Sequence, residues 1–445
     1  MDLLPGSGSG SGTARHRPVS RRAGTRTAFT SAVAVAVLAL FAAGCVTGPA
    51  HRVSGAGDSR TASGTATVSA RLKGAYAFLD EMVDATAQGE VPRLPRSFKG
   101  GYLQAHGYTD SVTYDDALII EALLSRGRAG DVERARALGD ALLYVQSHDP
   151  RHDGRIRAAY AAAALTSPDT VDASDATSDI GNMAWAGQAL LQLYKATEER
   201  RYLSGAAAVA HWAVAETRDN RGAGGFTGGM DDGGRRIRWK STEHNLDLVV
   251  LFRMLAQLTG DAAWSEQAWH ARSFVTAMYD PAKHVFWTGT GDDGVAPSKD
   301  LLAEDAQSWS CLVLRERAYA GVLDTEATGL AASDGHFHGV AFSDADRSGV
   351  WFEGSAHLAL AFAKRHRPGD AARSDRLLHT LELAQTTAPH HDGHGLVAAS
   401  HDGLNTGDGG DSYYASLHTG ATAWYILASQ ARDPFTLFSG APPRS

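Results

Sequence analysis

The chain has 445 residues but only two cysteines, Cys45 and Cys311, and it has no long hydrophobic run. The apolar segment at residues 32–43 spans 12 residues, roughly 18 Å of helix, whereas the hydrocarbon core of a bilayer is about 30 Å thick. A permanent transmembrane helix is therefore not expected. Cys311 lies in an apolar helical stretch, where a buried packing residue is expected rather than a nucleophile or half of a disulfide.

Several motifs that carry chemistry are also missing. The sequence has no glycine-rich phosphate loop after a strand, no paired cysteine clusters and no serine or cysteine nucleophile motif, which argues against nucleotide-binding, zinc-finger and protease functions. The histidine-rich and aspartate-rich segment at residues 390–411 has neither a helical His-x-x-x-His pair nor a calcium loop. No metal and no cofactor is therefore predicted.

The N-terminal region has the pattern of an export signal. Five arginines lie in the first 27 residues, and the apolar run is followed by Gly44 and Cys45. The small residues before Cys45 resemble a bacterial lipobox, so we expect a lipoprotein signal at residues 1–44 and lipidation of Cys45. The alternative is an ordinary secretory signal cleaved nearby. Either way, we expect an extracytoplasmic protein, at the cell surface if the lipid is present.

Residues 45–66 are rich in Gly, Ser, Thr and Ala, so they predict a flexible tether. Without residues 1–44 the chain carries 37 Lys and Arg residues against 49 Asp and Glu residues. This excess of negative charge disfavours nucleic acid, or an anionic membrane surface, as the main partner. We expect a monomer that touches the membrane only through its lipid anchor.

The body of the chain shows a helical repeat with a period near 60 residues that recurs about six times. An opening helix is predicted at 67–88 and a last helix at 417–430. Between them the pattern predicts five pairs: 113–126 with 131–147, 178–197 with 199–217, 242–259 with 261–277, 304–318 with 322–332, and 352–366 with 370–387. The last helix can pair with the first and close a ring.

The two helices of each pair differ in polarity. First members, such as residues 184–191 and 357–362, are apolar on most sides, whereas second members, such as residues 131–138, have one polar stripe. A helix without a wide polar face is buried, so the first members should form an inner layer and the second members an outer one. We therefore predict an all-α fold, an (α/α)6 toroid over residues 67–435, followed by a disordered tail at 436–445. Long glycine-rich loops at 222–234 and 393–410 should crowd one rim.

This pattern resembles the six-hairpin glycosidase superfamily over essentially the whole body. The resemblance is carried by the segments at 179–185, 190–197, 201–203, 351–354 and 418–424, which read DIGNMAW, LLQLYKAT, RYL, WFEG and HTGATAW. It implies an (α/α)6 barrel and carbohydrate chemistry. The superfamily also includes sugar epimerases and polysaccharide lyases, so the fold does not decide the reaction.

Inner helices of such a toroid meet at their N-terminal ends, so side chains in their first turns should face one central cleft. Aligning the inner helices places seven positions at about this level: Asp115 or Asp116, Asp179, Glu243, His244, Asp305, Glu353 and His418. Helix capping is the competing explanation for Asp115, Asp116 and Asp179.

Glycoside hydrolysis needs one protonated carboxyl group and one ionised carboxylate. Glu353 is the predicted proton donor, because flanking aromatic residues would raise the pKa of its carboxyl group. Asp305 and Glu243 are its candidate partners. Asp247 shares a helix face with Glu243, where it would join a carboxylate cluster or, alternatively, form a salt bridge with Lys240 or Arg253.

Aromatic side chains can stack on the apolar faces of sugars. Trp239 and the pair Tyr413–Tyr414, which lie in loops, are the favoured stacking residues. The predicted substrate-binding set consists of Trp239, Trp351, Tyr413, His244, Asp247, Asp116, Asp179 and His418. Trp185, Trp309 and Trp424 recur at matching repeat positions, which favours packing between helices.

We therefore predict a carbohydrate-active enzyme, a glycoside hydrolase with Glu353 as acid and Asp305 or Glu243 as base. One alternative is a lyase or epimerase that abstracts a ring proton with His244 or His418 and a tyrosine such as Tyr114. The other is a glycan-binding lipoprotein without catalytic activity.

Overall fold

The computed structural model describes residues 60–89, 91–166, 171–407 and 411–438, with only the backbone described for residues 60–69. The predicted export signal, Cys45 and most of the predicted tether lie outside these residues. The described residues form thirteen α-helices: α1 (Arg60–Asp84), α2 (Gly101–Ala105), α3 (Thr113–Arg126), α4 (Ala129–Ser147), α5 (Ile180–Thr197), α6 (Arg200–Thr217), α7 (Thr242–Thr259), α8 (Ala262–Ala277), α9 (Glu304–Leu314), α10 (Val322–Gly329), α11 (Phe352–Arg365), α12 (Asp370–Thr387) and α13 (Thr419–Ser429).

Six helices form an inner ring, and the others cover it. Neighbours in the ring are α3, α5, α7, α9, α11 and α13, and α13 returns to contact α3. The helices α4, α6, α8, α10 and α12 each pack on the inner helix that precedes them, and α1 packs on α13. The predicted closed ring of six hairpins is confirmed. No helix in the described part of the chain combines the length and apolar character needed to cross a bilayer.

Several helix ends differ from the prediction. Helix α9 was expected to reach residue 318, but it stops at Leu314 because Arg315 adopts a left-handed conformation with φ of 55°. A 3-10 helix at Arg317–Tyr319 follows. Helix α1 begins at Arg60, seven residues before the predicted start. The five-residue helix α2 was not predicted, because it is too short to show a period.

Short strands, all in antiparallel pairs, line the connections between hairpins. They were not predicted, because two to four residues are too few to show an alternating pattern. Their bounds are β1 (Phe98–Lys99), β2 (Asp110–Val112), β3 (Ala159–Ala161), β4 (Ser178–Asp179), β5 (Gly229–Met230), β6 (Arg236–Ile237), β7 (Tyr279–Asp280), β8 (Val285–Phe286), β9 (Gly289–Thr290), β10 (Pro297–Ser298), β11 (Ala331–Asp334), β12 (Phe337–Val340), β13 (Leu396–Val397), β14 (Leu404–Asn405), β15 (Ser412–Tyr413) and β16 (Leu417–His418).

These strands and bridges hold the N-terminal ends of the inner helices at one rim. Strand β2 leads into α3, β4 into α5 and β16 into α13. Isolated bridges at Ser241, Ala303 and Trp351 fix the residues just before α7, α9 and α11. The first turn of each inner helix is therefore positioned by backbone pairing of the residues before it.

Aromatic side chains fill the axis of the toroid. Trp185, Trp309 and Trp424 are almost fully buried, and their ring centroids lie 5.4–5.9 Å apart. Phe435, from the segment after α13, packs against all three. The packing role favoured for the three tryptophans matches their burial. They close the axis beneath the rim.

The C-terminal segment continues along the toroid beyond residue 435. The carbonyl oxygen of Thr436 accepts a hydrogen bond from the Gln192 side chain, and the amide N–H of Phe438 donates to the same side chain. The first three residues of the predicted tail are therefore bound to α5.

Candidate active site

Acidic and histidine side chains from all six inner helices come together at the rim. They are Asp115 and Asp116 on α3, Asp179 before α5, Glu243 on α7, Asp305 on α9, Glu353 on α11 and His418 before α13. Two groups can be distinguished by their contacts. We call Tyr114, Asp115, Glu353 and His418 the histidine cluster, and Asp179, Glu243, Asp247 and Asp305 the carboxylate cluster.

The histidine cluster is a continuous chain of polar contacts. The Tyr114 hydroxyl donates a hydrogen bond of 2.7 Å to Glu353 Oε1 and accepts one of 2.7 Å from the indole N–H of Trp424. The His418 ring lies between two carboxylates, with Nε2 3.1 Å from Asp115 Oδ1 and Nδ1 3.4 Å from Glu353 Oε2. Phe98 stacks on the ring at 4.3 Å and fixes its plane.

Both titratable partners in this cluster have shifted pKa values. Burial lowers the pKa of His418, but the charge and hydrogen bond of Asp115 and the charge of Glu353 outweigh it, so the pKa is raised overall. Burial raises the pKa of Glu353, and the neighbouring His418 and His357 partly oppose this rise. Both shifts favour the protonated form, the neutral carboxyl group of Glu353 and the charged imidazole of His418.

The carboxylate cluster is built around Glu243. Its side chain remains 30% exposed although protein surrounds it closely, which places it in a concave part of the rim. Burial raises the pKa of Glu243 well above its ordinary value, and the negative charges of Asp305, Asp247, Asp179 and Glu353 raise it further. Glu243 therefore holds its proton more tightly than an exposed glutamate does.

Asp247 lies one helical turn deeper than Glu243. It is fully buried, and neither of its carboxylate oxygens has a hydrogen-bond partner of ordinary geometry among the described residues. Burial and the charges of Asp305 and Asp179 raise its pKa, while the nearby Trp185 indole opposes the rise. The predicted cluster of Asp247 with Glu243 is present. The alternative salt bridge is not, because Lys240 pairs with Asp219 and Arg253 donates to a backbone carbonyl.

Asp305 completes this cluster from the start of α9. Its side chain is 7% exposed, and Oδ1 accepts a hydrogen bond of 2.6 Å from the amide of Ala306. Unpaired N–H groups and the helix dipole at this end favour a negative charge. Asp305 thus brings a carboxyl group, held by the start of α9, next to Glu243.

A third set of groups, which sequence reasoning missed, lies behind Glu353. His357 Nδ1 is 2.8 Å from Glu304 Oε2, and its Nε2 is 3.7 Å from Glu353 Oε1. Burial lowers the pKa of His357 to about 4, so the ring is neutral at pH 7. Glu304 is fully buried, which raises its pKa well above the ordinary value. The signal was weak, because His357 sits inside an apolar helical run that predicts only core packing.

Two aspartates of the predicted substrate-binding set are committed to local structure. Asp116 is buried and accepts hydrogen bonds of 2.8 and 3.0 Å from the Ser111 hydroxyl, so it is Asp115 that faces His418. Asp179 caps α5, accepting from the backbone and side-chain nitrogens of Asn182 at 2.8 Å. Helix capping, the competing explanation, therefore accounts for Asp179. The negative charge of Asp179 still raises the pKa of Glu243.

The predicted aromatic residues differ in their access to a ligand. The Tyr413 ring is half-buried, and burial followed by the charges of Glu353, Asp305 and Glu243 raises its pKa, so its hydroxyl lies between the two clusters. Trp351 is only 2% exposed and packs against Tyr413 at 5.4 Å. We therefore expect Trp351 to support Tyr413 rather than to contact a sugar.

Trp239 and His244 occupy the α7 side of the rim. Both are half-buried, and their ring centroids lie 5.8 Å apart. The His244 ring packs directly on Gly181, where a Cβ atom would lie 2.5 Å from Cδ2. The two rings form an aromatic edge next to Glu243 that can contact a flat ligand. Within the described residues no group of three or more side chains is arranged to hold a metal ion.

Comparisons with known proteins find this fold in solved structures. No family model matches the chain, and no curated protein matches it. Among solved structures, a sugar epimerase from a ruminal bacterium superposes with a TM-score of 0.61 at 11% identity, over 82% of this chain and 98% of that one. A D-mannose isomerase gives 0.60 at 10% identity, over 83% and 97%. A family 76 glycoside hydrolase from a bovine Bacteroides thetaiotaomicron strain gives 0.56 at 15% identity, over 82% and 78%. At these identities the likeness shows a shared (α/α)6 fold.

Proposed function

We propose that the protein is a carbohydrate-active enzyme that hydrolyses glycosidic bonds at the carboxylate cluster. The observation that carries the proposal is the state of Glu243, a partly exposed carboxyl group whose pKa is raised by burial and by four neighbouring carboxylates. Glycoside hydrolysis requires one carboxyl group that holds a proton and a second that is ionised. Glu243 and Asp305 lie on the neighbouring inner helices α7 and α9 and are the candidates for this pair.

We assign the general acid to Glu243 and the general base to Asp305. A proton donor must reach the leaving oxygen of the sugar, and Glu243 keeps 30% of its side chain exposed whereas Glu353 is 3% exposed. This assignment moves the acid role from Glu353, which the sequence had favoured. Glu353 then fixes Tyr114 and His418, and Tyr413 and Trp239 provide surfaces for the sugar.

The test is a screen of the purified chain against neutral and acidic polysaccharides, reading new reducing ends and ultraviolet absorbance. We expect Glu243→Gln and Asp305→Asn to lower kcat by about 10²–10⁴-fold, since each removes one proton-transfer group. Glu133→Gln, on the exposed face of α4, is the matched control and should keep the full rate. A near-normal rate for Glu243→Gln, with folding intact, would reject the assignment.

A second function is supported by the histidine cluster. A carboxylate-paired imidazole with a raised pKa is suited to remove a proton next to a sugar carbonyl, as epimerases and isomerases require, and elimination by a lyase needs a similar base. Solvent deuterium entering the sugar, without new reducing ends, would favour an epimerase or isomerase. A product absorbing in the ultraviolet would favour a lyase. Glycan binding with none of these readouts would favour the non-catalytic alternative.

A further inference from the structure

A depression lined by arginines lies beside the rim, outside both clusters. It encloses about 320 Å³ and is lined by Arg218, Asp219, Asn220, Arg221, Arg236 and Arg238. Its volume falls at the lower end of the range typical of small-ligand sites, which begins at about 300 Å³. Four arginines against one aspartate give the lining a net charge of +3, although the whole chain carries −8.

Only part of this positive charge is neutralised. Arg221 forms a forked pair with Asp219, whose carboxylate also lies 3.7 Å from the buried ammonium of Lys240. Arg218 contacts neutral groups, the side chains of Asn220 and Gln267. Arg236 and Arg238 are exposed, and neither has a carboxylate partner among the described residues. Guanidinium groups that line one depression repel each other, and a bound anion would relieve this repulsion.

The depression is connected to the candidate active site by a single segment, residues 236–241, which begins with β6. Side chains alternate along an extended chain, so Arg236 and Arg238 lie on one face of the segment and Ile237 and Trp239 on the other. Ile237 and Trp239 both pack on Gly228, and Trp239 faces His244. The same segment continues directly into α7, whose first turn carries Glu243.

We propose that this depression binds an anionic group, a carboxylate or sulfate, carried by the glycan that occupies the active site. Guanidinium groups bind such planar or tetrahedral oxyanions through paired N–H donors. The inference rests on the proposed carbohydrate function and adds that the substrate class is acidic. Because Arg238 and Trp239 are consecutive residues on opposite faces of the segment, a glycan in contact with Trp239 reaches the arginines only if its chain continues around the edge of that segment.

The experiment measures binding by titration calorimetry with the inactive Glu243→Gln chain, so that turnover does not interfere. The probes are oligogalacturonate, a sulfated glycosaminoglycan oligosaccharide and a neutral mannan oligosaccharide. Adding Arg236→Gln and Arg238→Gln should weaken binding of one of the acidic probes at least tenfold and reduce its dependence on salt. The acidic probe that responds distinguishes carboxylate from sulfate.

The matched control adds Arg200→Gln and Arg317→Gln instead. These exposed arginines lie at turns within the α5–α6 and α9–α10 hairpins, remote from the rim, so the same change in net charge should leave binding unaltered. Equal loss in the control, or equal affinity for acidic and neutral probes, would overturn the proposal. Binding is measured without turnover, so the two proposals can fail separately. If the unsubstituted chain binds the acidic glycan but does not hydrolyse it, this inference stands and the hydrolase assignment fails.

Discussion

Tyr114 joins two parts of the site through one hydroxyl group. Its hydroxyl donates a hydrogen bond to Glu353 and accepts one from the indole N–H of Trp424 at the toroid axis. Tyr114 therefore links the carboxyl group of Glu353 to the buried aromatic core. Its hydrogen bond lowers the pKa of Glu353, against the larger effect of burial. The position of Glu353 and its proton affinity therefore depend on the same contact.

We expect Tyr114→Phe to lower kcat/KM by roughly 10- to 100-fold, the equivalent of losing one hydrogen bond to a charged group. Because the lost bond had favoured the ionised form, the pKa of Glu353 should rise, and the titration profile of its carboxyl group, followed by NMR, should move to higher pH. Tyr194→Phe, a half-buried tyrosine of α5, is the control. An unchanged profile would show that Tyr114 is only a packing residue.

The pairing of His418 with Asp115 should also be visible in stability. The pKa of His418 in the folded chain is raised from its ordinary value of 6.5, so its proton stabilises the folded state fully below about pH 6.5. That stabilisation is lost as pH rises through the folded pKa. The free energy of unfolding of the native chain, relative to Asp115→Asn, should therefore be larger at pH 6 than at pH 9 in denaturant titrations. The opposite slope would mean that His418 is neutral in the folded chain.

Helix α13 brings its backbone unusually close to the histidine cluster. Gly420 has an ordinary helical conformation, but a Cβ atom there would lie 2.5 Å from Asp115 Oδ1, 2.9 Å from His418 Cε1 and 3.1 Å from Glu353 Oε2. The absence of a side chain is thus needed for space rather than for backbone freedom. The helix can supply His418 only because its second residue is glycine.

Gly420→Ala separates helix propensity from site geometry. Alanine is about 1 kcal/mol more favourable than glycine within a helix, yet the new methyl group would push the three side chains apart. We expect activity to fall at least tenfold, with overpacking costing about 1–3 kcal/mol of stability. Gly130→Ala in α4, where only the Arg134 side chain lies nearby at 3.6 Å, should leave activity unchanged. Full activity of Gly420→Ala would place the cluster outside the reaction.

Closure of the whole toroid depends on residues from distant parts of the chain. Helix α13 contacts both α3 and α11, and α1 covers it from outside. Phe435 then seals the axis by packing on Trp185, Trp309 and Trp424. The rim holds its shape because this axis is filled.

Phe435→Ala should therefore destabilise the chain by about 3–5 kcal/mol, the usual cost of truncating a buried aromatic residue. Phe438→Ala, three residues later and half-buried, should cost clearly less. Thermal and denaturant unfolding would measure both. Equal effects would show that the axis contributes no more than the surface segment.

The features that depend on local sequence pattern could be predicted from the sequence. Apolar residues repeat at helical spacing over long segments, so twelve helices, their pairing and the closed ring could be predicted. The same repeat alignment indicated Glu243, Asp305, Glu353 and His418, because each lies in or beside the first turn of an inner helix. The short strands and the C-terminal end of α9 could not be predicted, since they depend on a few backbone angles.

What the residues could not reveal is which way neighbouring side chains point and what they meet. Asp115 and Asp116 are adjacent, yet a helix turns about 100° per residue, so one faces His418 and the other Ser111. Glu304 and Asp305 divide in the same way, the former pairing with His357. Exposure separates Glu243 from Glu353, and it arises from packing between helices that are distant in the chain. Local periodicity therefore specified the helices and the ring, whereas the burial and charge that set each carboxyl group's proton affinity exist only once the six helix ends have assembled.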